Sequence, residues 1–158
     1  MSNPVRRSPV PASACGLAHA AELIGDRWIL LILRELFYGV SRFDDLAADL
    51  GVSRAVLTER LAQLVTLGLI ERTPYREPGQ RARHAYALTD ASRALAPALL
   101  ALFEWGCAQA GLERAMRLQD CETGAELRLA LIDAHGQVVP WARVTTAIGV
   151  ARDPASGG

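Results

Sequence analysis

Every side-chain cation in this chain except histidine is an arginine: there are 17, with no lysine, against 17 carboxylates. A guanidinium is planar and carries a fork of donors suited to bidentate contact with phosphate or guanine. Arg54 and Arg60 fall in a stretch of helical apolar spacing, and Arg76, Arg81 and Arg83 gather around Pro78-Gly79. An all-arginine usage also fits genome composition, and a formal net charge of zero lends no weight by itself to a nucleic-acid partner. The remaining chemistry is sparse. Cys15, Cys107 and Cys121 are odd in number and far apart, which argues against a disulfide framework. His19, His84 and His135 have no metal-ligand spacing. Asp120-Cys121-Glu122 with a distant His135 is a poor outline of a metal or thiol-enzyme site. No catalytic residue, cofactor or metal ligand is assigned.

The elements that must position the arginines centre on Arg42–Leu69. Phe43, Leu46, Ala47 and Leu50 recur at helical spacing, and Gly51 suits a left-handed helix end. Ser53 can cap a second helix whose apolar stripe is Val56, Leu57, Leu61 and Leu64. Two helices on so short a turn cross steeply, as in a helix-turn-helix, and the second is offered as a rod that fits a DNA major groove. With the leucines inward, Ala55, Thr58, Glu59 and Ala62 face out, and Ser53 and Arg54 lie at the helix start. Arg54 can bind guanine or phosphate; Thr58 can meet a base edge or methyl; Ser53 can cap the helix or meet a phosphate. Arg60 leans back toward the body. The plain alternative is a solvated helix face.

Around this centre, Gly16–Ile24 reads as a helix, and Asp26 caps a nearly all-apolar helix over about Arg27–Tyr38, which must be buried on most sides. Ser41 with Asp44 has the form of a capping box. Leu69–Tyr75 and Ala82–Leu88 read as strands joined by a turn at Pro78-Gly79. A helix-turn-helix followed by a basic-tipped hairpin is the winged-helix plan, with Arg76, Arg81 and Arg83 placed as phosphate contacts. Thr89 can cap a long helix over about Asp90–Ala110, kinked near Pro97. Glu126–Ile132 and Gln137–Val144 read as a hairpin around Ala134-His135-Gly136. The fold class is mainly α with a small β wing, a winged helix-turn-helix with a C-terminal β-hairpin extension. Residues 1–13 read as a flexible tail, 14–110 as the winged helix-turn-helix, DNA-binding domain, 111–149 as the extension and 150–158 as a disordered tail. No apolar run reaches the roughly 20 residues that span a bilayer. No signal peptide is evident, so no membrane partner is expected and the cytoplasm is the default.

The order of the motifs Cys15–Gly16, LIGDRWILLILREL (Leu23 to Leu36), SRFDDLAADL, VSRAVLTERLAQLVTLGLIER, HAYALTDASRAL (His84 to Leu95) and LFEWG (Leu102 to Gly106) resembles the HxlR-type transcriptional regulators of the MarR-like superfamily. The resemblance covers about Cys15 to Ala110. It implies a homodimer in which the first helix and the long helix after the wing pair across a two-fold axis. That would use Leu17, Ala20, Leu95, Leu99, Leu102, Phe103 and Trp105. It further implies double-stranded DNA as partner, a pseudo-palindromic operator, and Cys15 as a candidate sensor of oxidants or electrophiles, or else a small residue of the dimer interface. A small-molecule effector is a further candidate partner. Two other classes stay open: a winged helix that binds protein, which the zero net charge favours, and a small ligand-binding or thiol-based enzyme domain in residues 111–158.

Overall fold

The computed structural model describes residues 10–76, 79, 83–113 and 116–146. Residues 15–115 form one unit, and residues 1–14 with 116–158 form a second.

In the first unit, α1 is Gly16–Ile24 and α2 is Arg27–Phe37. The Asp26 carboxylate caps α2 by accepting from the Trp28 and Ile29 amides at 2.8 and 3.1 Å, two of the donors that a helix start leaves unpaired. Helix α2 buries Ile29, Ile32, Leu33 and Leu36. Its one buried carboxylate, Glu35, accepts from the neighbouring Arg34 Nε at 2.9 Å. α3 is Phe43–Leu50, and Gly51 ends it at φ 59, the left-handed region that glycine enters without strain. α4 is Arg54–Thr66; Ser53 Oγ caps it by accepting from the Val56 amide at 3.3 Å. Leu57, Leu61 and Leu64 of α4 meet Leu46 of α3, Ile70 and the apolar face of α2 in one core.

The wing is an antiparallel pair, β1 (Ile70–Tyr75) and β2 (Arg83–Leu88), registered Ile70 to Leu88 through Tyr75 to Arg83. β1 starts one residue inside its expected run. An isolated bridge joins β2 to the segment before α3: the Tyr86 amide donates to the Ser41 carbonyl at 2.8 Å, and Arg42 bridges Ala85. That pairing overturns the capping box expected of Ser41 and Asp44. Ser41 and Arg42 are held against β2, so Arg42 becomes the residue before the helix and gives no side-chain cap. Asp44 is free for other use.

The long helix expected over Asp90–Ala110 is two helices, α5 (Asp90–Arg93) and α6 (Ala96–Ala110). Pro97 does not kink a continuous helix. It lacks the N–H that would reach the Arg93 carbonyl, so the chain stops at Arg93 and restarts with Pro97 in the first turn of α6. Thr89 ties this junction to the end of α4. Its hydroxyl donates to the Gly68 carbonyl at 2.7 Å, and its carbonyl accepts from Ser92 Oγ, fully buried, at 2.9 Å.

The second unit contains two small hairpins. β3 (Leu118–Gln119) pairs with β4 (Glu126–Leu127), and β5 (Leu131–Ile132) pairs with β6 (Val138–Val139). The hairpin around Ala134-His135-Gly136 is present, but its expected long strands are not. Glu126–Ile132 is divided between β4 and β5, and Trp141–Arg143 is a 3-10 turn after Pro140. In the weak metal or thiol-enzyme outline, Asp120 is a turn former. The Asp120 carboxylate accepts from the Glu122 and Thr123 amides at 2.8 and 3.1 Å. Asp133 does the same for His135 and Gln137 at 2.9 and 3.0 Å. Among the described residues no group of three His, Cys, Asp or Glu could hold a metal ion. No helix among them is long and apolar enough to cross a membrane. The expected tail 150–158 and most of 1–13 lie outside the described residues.

Candidate nucleic-acid interface

The start of α4 stands beside the wing. Between them lies a cleft of about 700 Å³ whose walls include Phe43, Arg54, Thr58, Ala62, Arg72, Tyr75, Arg83 and His84. Ala55, Thr58, Glu59 and Ala62 are all exposed on α4, opposite its buried leucines. This orientation follows from the sequence: α4 has one leucine stripe, and burying it against α2 leaves a single face for solvent. Thr58 is anchored at its hydroxyl, which donates to the Arg54 carbonyl at 2.8 Å. Ser53 spends its oxygen on the cap.

Arg54 is the first residue of α4, and its guanidinium is held from two sides. It lies over the Phe43 ring, 4.6 Å from the centroid, and its Nη1 donates to Asp44 Oδ1 at 2.7 Å. The other Asp44 oxygen accepts from Arg83 Nη1 on β2 at 3.2 Å. One carboxylate on α3 therefore joins the helix start to the wing. The hydrogen bond from Arg54, with the charges of both guanidinium groups, holds the Asp44 carboxyl below the usual aspartate range. Arg54 remains 71% exposed on its side chain, so its outer edge faces solvent.

Other arginines are deployed differently. Arg60 turns back to the body, with Nε 3.2 Å from Asp26 Oδ1 and Nη1 2.9 Å from Glu59 Oε1. Burial pushes the Asp26 carboxyl up, but the hydrogen bonds of the Ile29 and Trp28 amides and the ion pair with Arg60 outweigh it and leave it lowered. Across the sheet, Arg72 Nη2 lies 2.8 Å from His84 Nδ1. A guanidinium only donates, so His84 accepts there. Arg76 is exposed just beyond β1. Arg81 lies outside the described residues.

Sequence reasoning passed over Asp44, Arg72 and Phe43 as parts of this face. By spacing alone Asp44 is a cap and Phe43 a core residue, and Phe43 does pack against the core. The one available signal was negative: two adjacent aspartates on a short helix next to a basic hairpin. The apolar positions assigned to a dimer contact divide. Leu17, Leu102 and Trp105 are 79%, 54% and 65% exposed. Ala20 and Phe103 are half-buried. Leu95 and Leu99 pack against the core of their own chain, because the break before α6 turns them inward. Cys15 is half-buried in extended backbone just before α1 and gives no side-chain cap; Cys107 is buried and Cys121 exposed, and all three are free thiols.

A core of three helices closed by a two-stranded wing, with one exposed helix start beside that wing, defines a winged helix-turn-helix protein. Residues 23–114 match the model of the HxlR-like helix-turn-helix family, and the chain belongs to that family. Over 90 residues it is 50% identical to the HTH-type transcriptional regulator MT3179 of Mycobacterium tuberculosis (strain CDC 1551 / Oshkosh), covering 57% of this chain and 56% of that relative. The match thus spans little more than half of the mycobacterial protein. It is 40% identical over 93 residues to the HTH-type transcriptional regulator sll1512 of Synechocystis sp., covering 58% of this chain and 67% of that one. Among solved structures, PA1607, described as a candidate transcription factor, superposes with a TM-score of 0.71 at 31% identity, over 89% of this chain and 96% of its own.

Proposed function

We propose that this protein is a transcriptional regulator that binds double-stranded DNA as a homodimer on a pseudo-palindromic operator. Each α4 would enter a major groove, with Ser53, Arg54, Ala55, Thr58 and Glu59 nearest the bases. Arg76, Arg81 and Arg83 of each wing would follow the flanking backbone. The observation that carries this reading is Arg54: exposed at the start of α4, lying over Phe43 and held beside the wing. The names of the relatives as HTH-type transcriptional regulators support it. The exposed Leu17, Leu102 and Trp105 support a two-fold contact built from α1 and α6. Cys15 is the thiol through which oxidants or electrophiles would alter occupancy, and the cytoplasm is the compartment in which such a protein works.

The test is a fluorescence-anisotropy titration of the full chain against duplex DNA from its own upstream region, at several salt concentrations, beside Arg54→Ala. Sequence-selective binding that weakens with salt and loses about 1–3 kcal/mol in the variant is the expected result. The balanced charge, 17 basic against 17 acidic residues, favours a second reading, a protein-binding winged helix. It requires the absence of salt-dependent DNA affinity at every concentration.

A further inference from the structure

We propose that Asp44 is a positioning residue for base readout, holding the Arg54 guanidinium in one pose at the mouth of the groove while tying the wing to the same point through Arg83. The inference rests on the DNA-binding reading above and goes beyond it, because Asp44 is an anion on a face meant for a polyanion. On electrostatics alone it should be a defect. Its geometry argues otherwise. Each carboxylate oxygen serves a different element: Oδ1 takes Arg54 at 2.7 Å and Oδ2 takes Arg83 at 3.2 Å.

The side of Arg54 is also held, since its guanidinium carbon lies over the Phe43 ring, 4.6 Å from the centroid and one residue before Asp44. A guanidinium has five N–H donors, and Asp44 takes Nη1. Among the described residues the other donors of Arg54 have no hydrogen-bond partner, on a side chain 71% exposed. An arginine free to rotate can satisfy any phosphate in reach, and it loses much rotamer freedom on committing to one base edge. One already held over a ring and bonded has lost that freedom before DNA arrives, so a larger share of its interaction goes into telling guanine from other bases. Asp44 meanwhile offsets the charge that would make the same arginines bind any backbone.

This gives two effects of opposite sign when the carboxylate is removed. Asp44→Asn and Asp44→Ala would be compared with wild type as full chains, on two probes. One is a duplex enriched by the wild-type protein from a randomised library, and the other has the same composition in scrambled order. The expected result is that affinity for the scrambled duplex holds or rises while that for the enriched duplex falls, so the ratio of the two drops about tenfold, a part of what one bidentate base contact contributes. In an Arg54→Ala background the drop from Asp44→Asn should vanish, since the carboxylate acts through that side chain. A carboxylate that merely repels DNA or latches the arginines away from it would let both affinities rise together with the ratio unchanged, and this would overturn the proposal. Equal loss on both probes, or loss of thermal stability in Asp44→Asn, would mark a scaffold role and overturn it as well. If wild type enriches no sequence, the DNA-binding reading fails and this inference falls with it; if wild type enriches one and Asp44→Asn keeps the full ratio, the inference alone fails.

Discussion

Asp26 joins two jobs that a single substitution can separate. Its carboxylate caps α2 through the Trp28 and Ile29 amides and faces Arg60 of α4 at 3.2 Å. Removing an N-cap acceptor costs about 0.5–2 kcal/mol. Here two amides lose their acceptor next to a fully buried Ile29, so Asp26→Ala should fall in the upper half, about 1–2 kcal/mol. In a domain of this size each kcal/mol lowers the midpoint by roughly 4–8 °C. Asp26→Asn keeps a competent cap and removes only the charge, so it should cost clearly less than the alanine variant. The pH dependence has a definite sign. The folded-state pKa of Asp26 is depressed, so its stabilisation is present above the ordinary aspartate value of 3.8 and is lost as the pH falls through the lower folded value. The gap between wild type and Asp26→Ala should therefore hold steady near neutral pH and narrow only as the pH falls below the ordinary value of 3.8. Urea unfolding of the three proteins, followed by circular dichroism, measures all of this. An Asp26→Ala protein within about 0.5 kcal/mol of wild type at neutral pH would refute the reasoning, as would a gap that widens in acid.

The core makes a blunter prediction: Leu61→Ala empties a site that is 1% exposed between α2, α4 and the wing, and should cost about 2–5 kcal/mol by denaturant titration. Trp105→Glu places a charge on a 65% exposed aromatic of α6 and should shift sedimentation from dimer to monomer while far-ultraviolet circular dichroism is unchanged; a dimer that persists would remove α6 from the interface. On the proposed reading diamide should weaken DNA binding by the wild type, and Cys15→Ser should keep the affinity and lose that response; a response that survives would dismiss Cys15 as the sensor.

Much of the fold was legible because its signals are local. Asp26 and Ser53 cap helices within three residues of themselves, and Gly51 ends α3 by its own backbone freedom. The leucine stripe of α4 needed no knowledge of its partner, since any helix with one apolar face will bury it, and so the exposed face of Ala55, Thr58, Glu59 and Ala62 could be read from spacing. Arg60 could likewise be seen to lean inward, although its partner Asp26 could not be named. The break before α6 was half legible: Pro97 announced a disturbance, but whether a helix bends or restarts depends on what the freed turn packs against, and Leu95 and Leu99 found the core.

Only the tertiary structure decided what Asp44 does. From the sequence it is an acidic residue in the first turn of a helix, three positions after a serine, which is the pattern of a cap. Bridging of Ser41 and Arg42 to β2 removed that cap. The partners of Asp44 then came from 10 and 39 positions further along the chain. The Arg72–His84 contact has the same origin, because it exists only in the register that sets Arg72 against Tyr86. Helix periodicity and capping are set by neighbours within about a turn and are written in order along the chain. The meeting of side chains from α3, α4 and β2 depends on how those elements are packed and registered, which no single stretch of sequence contains.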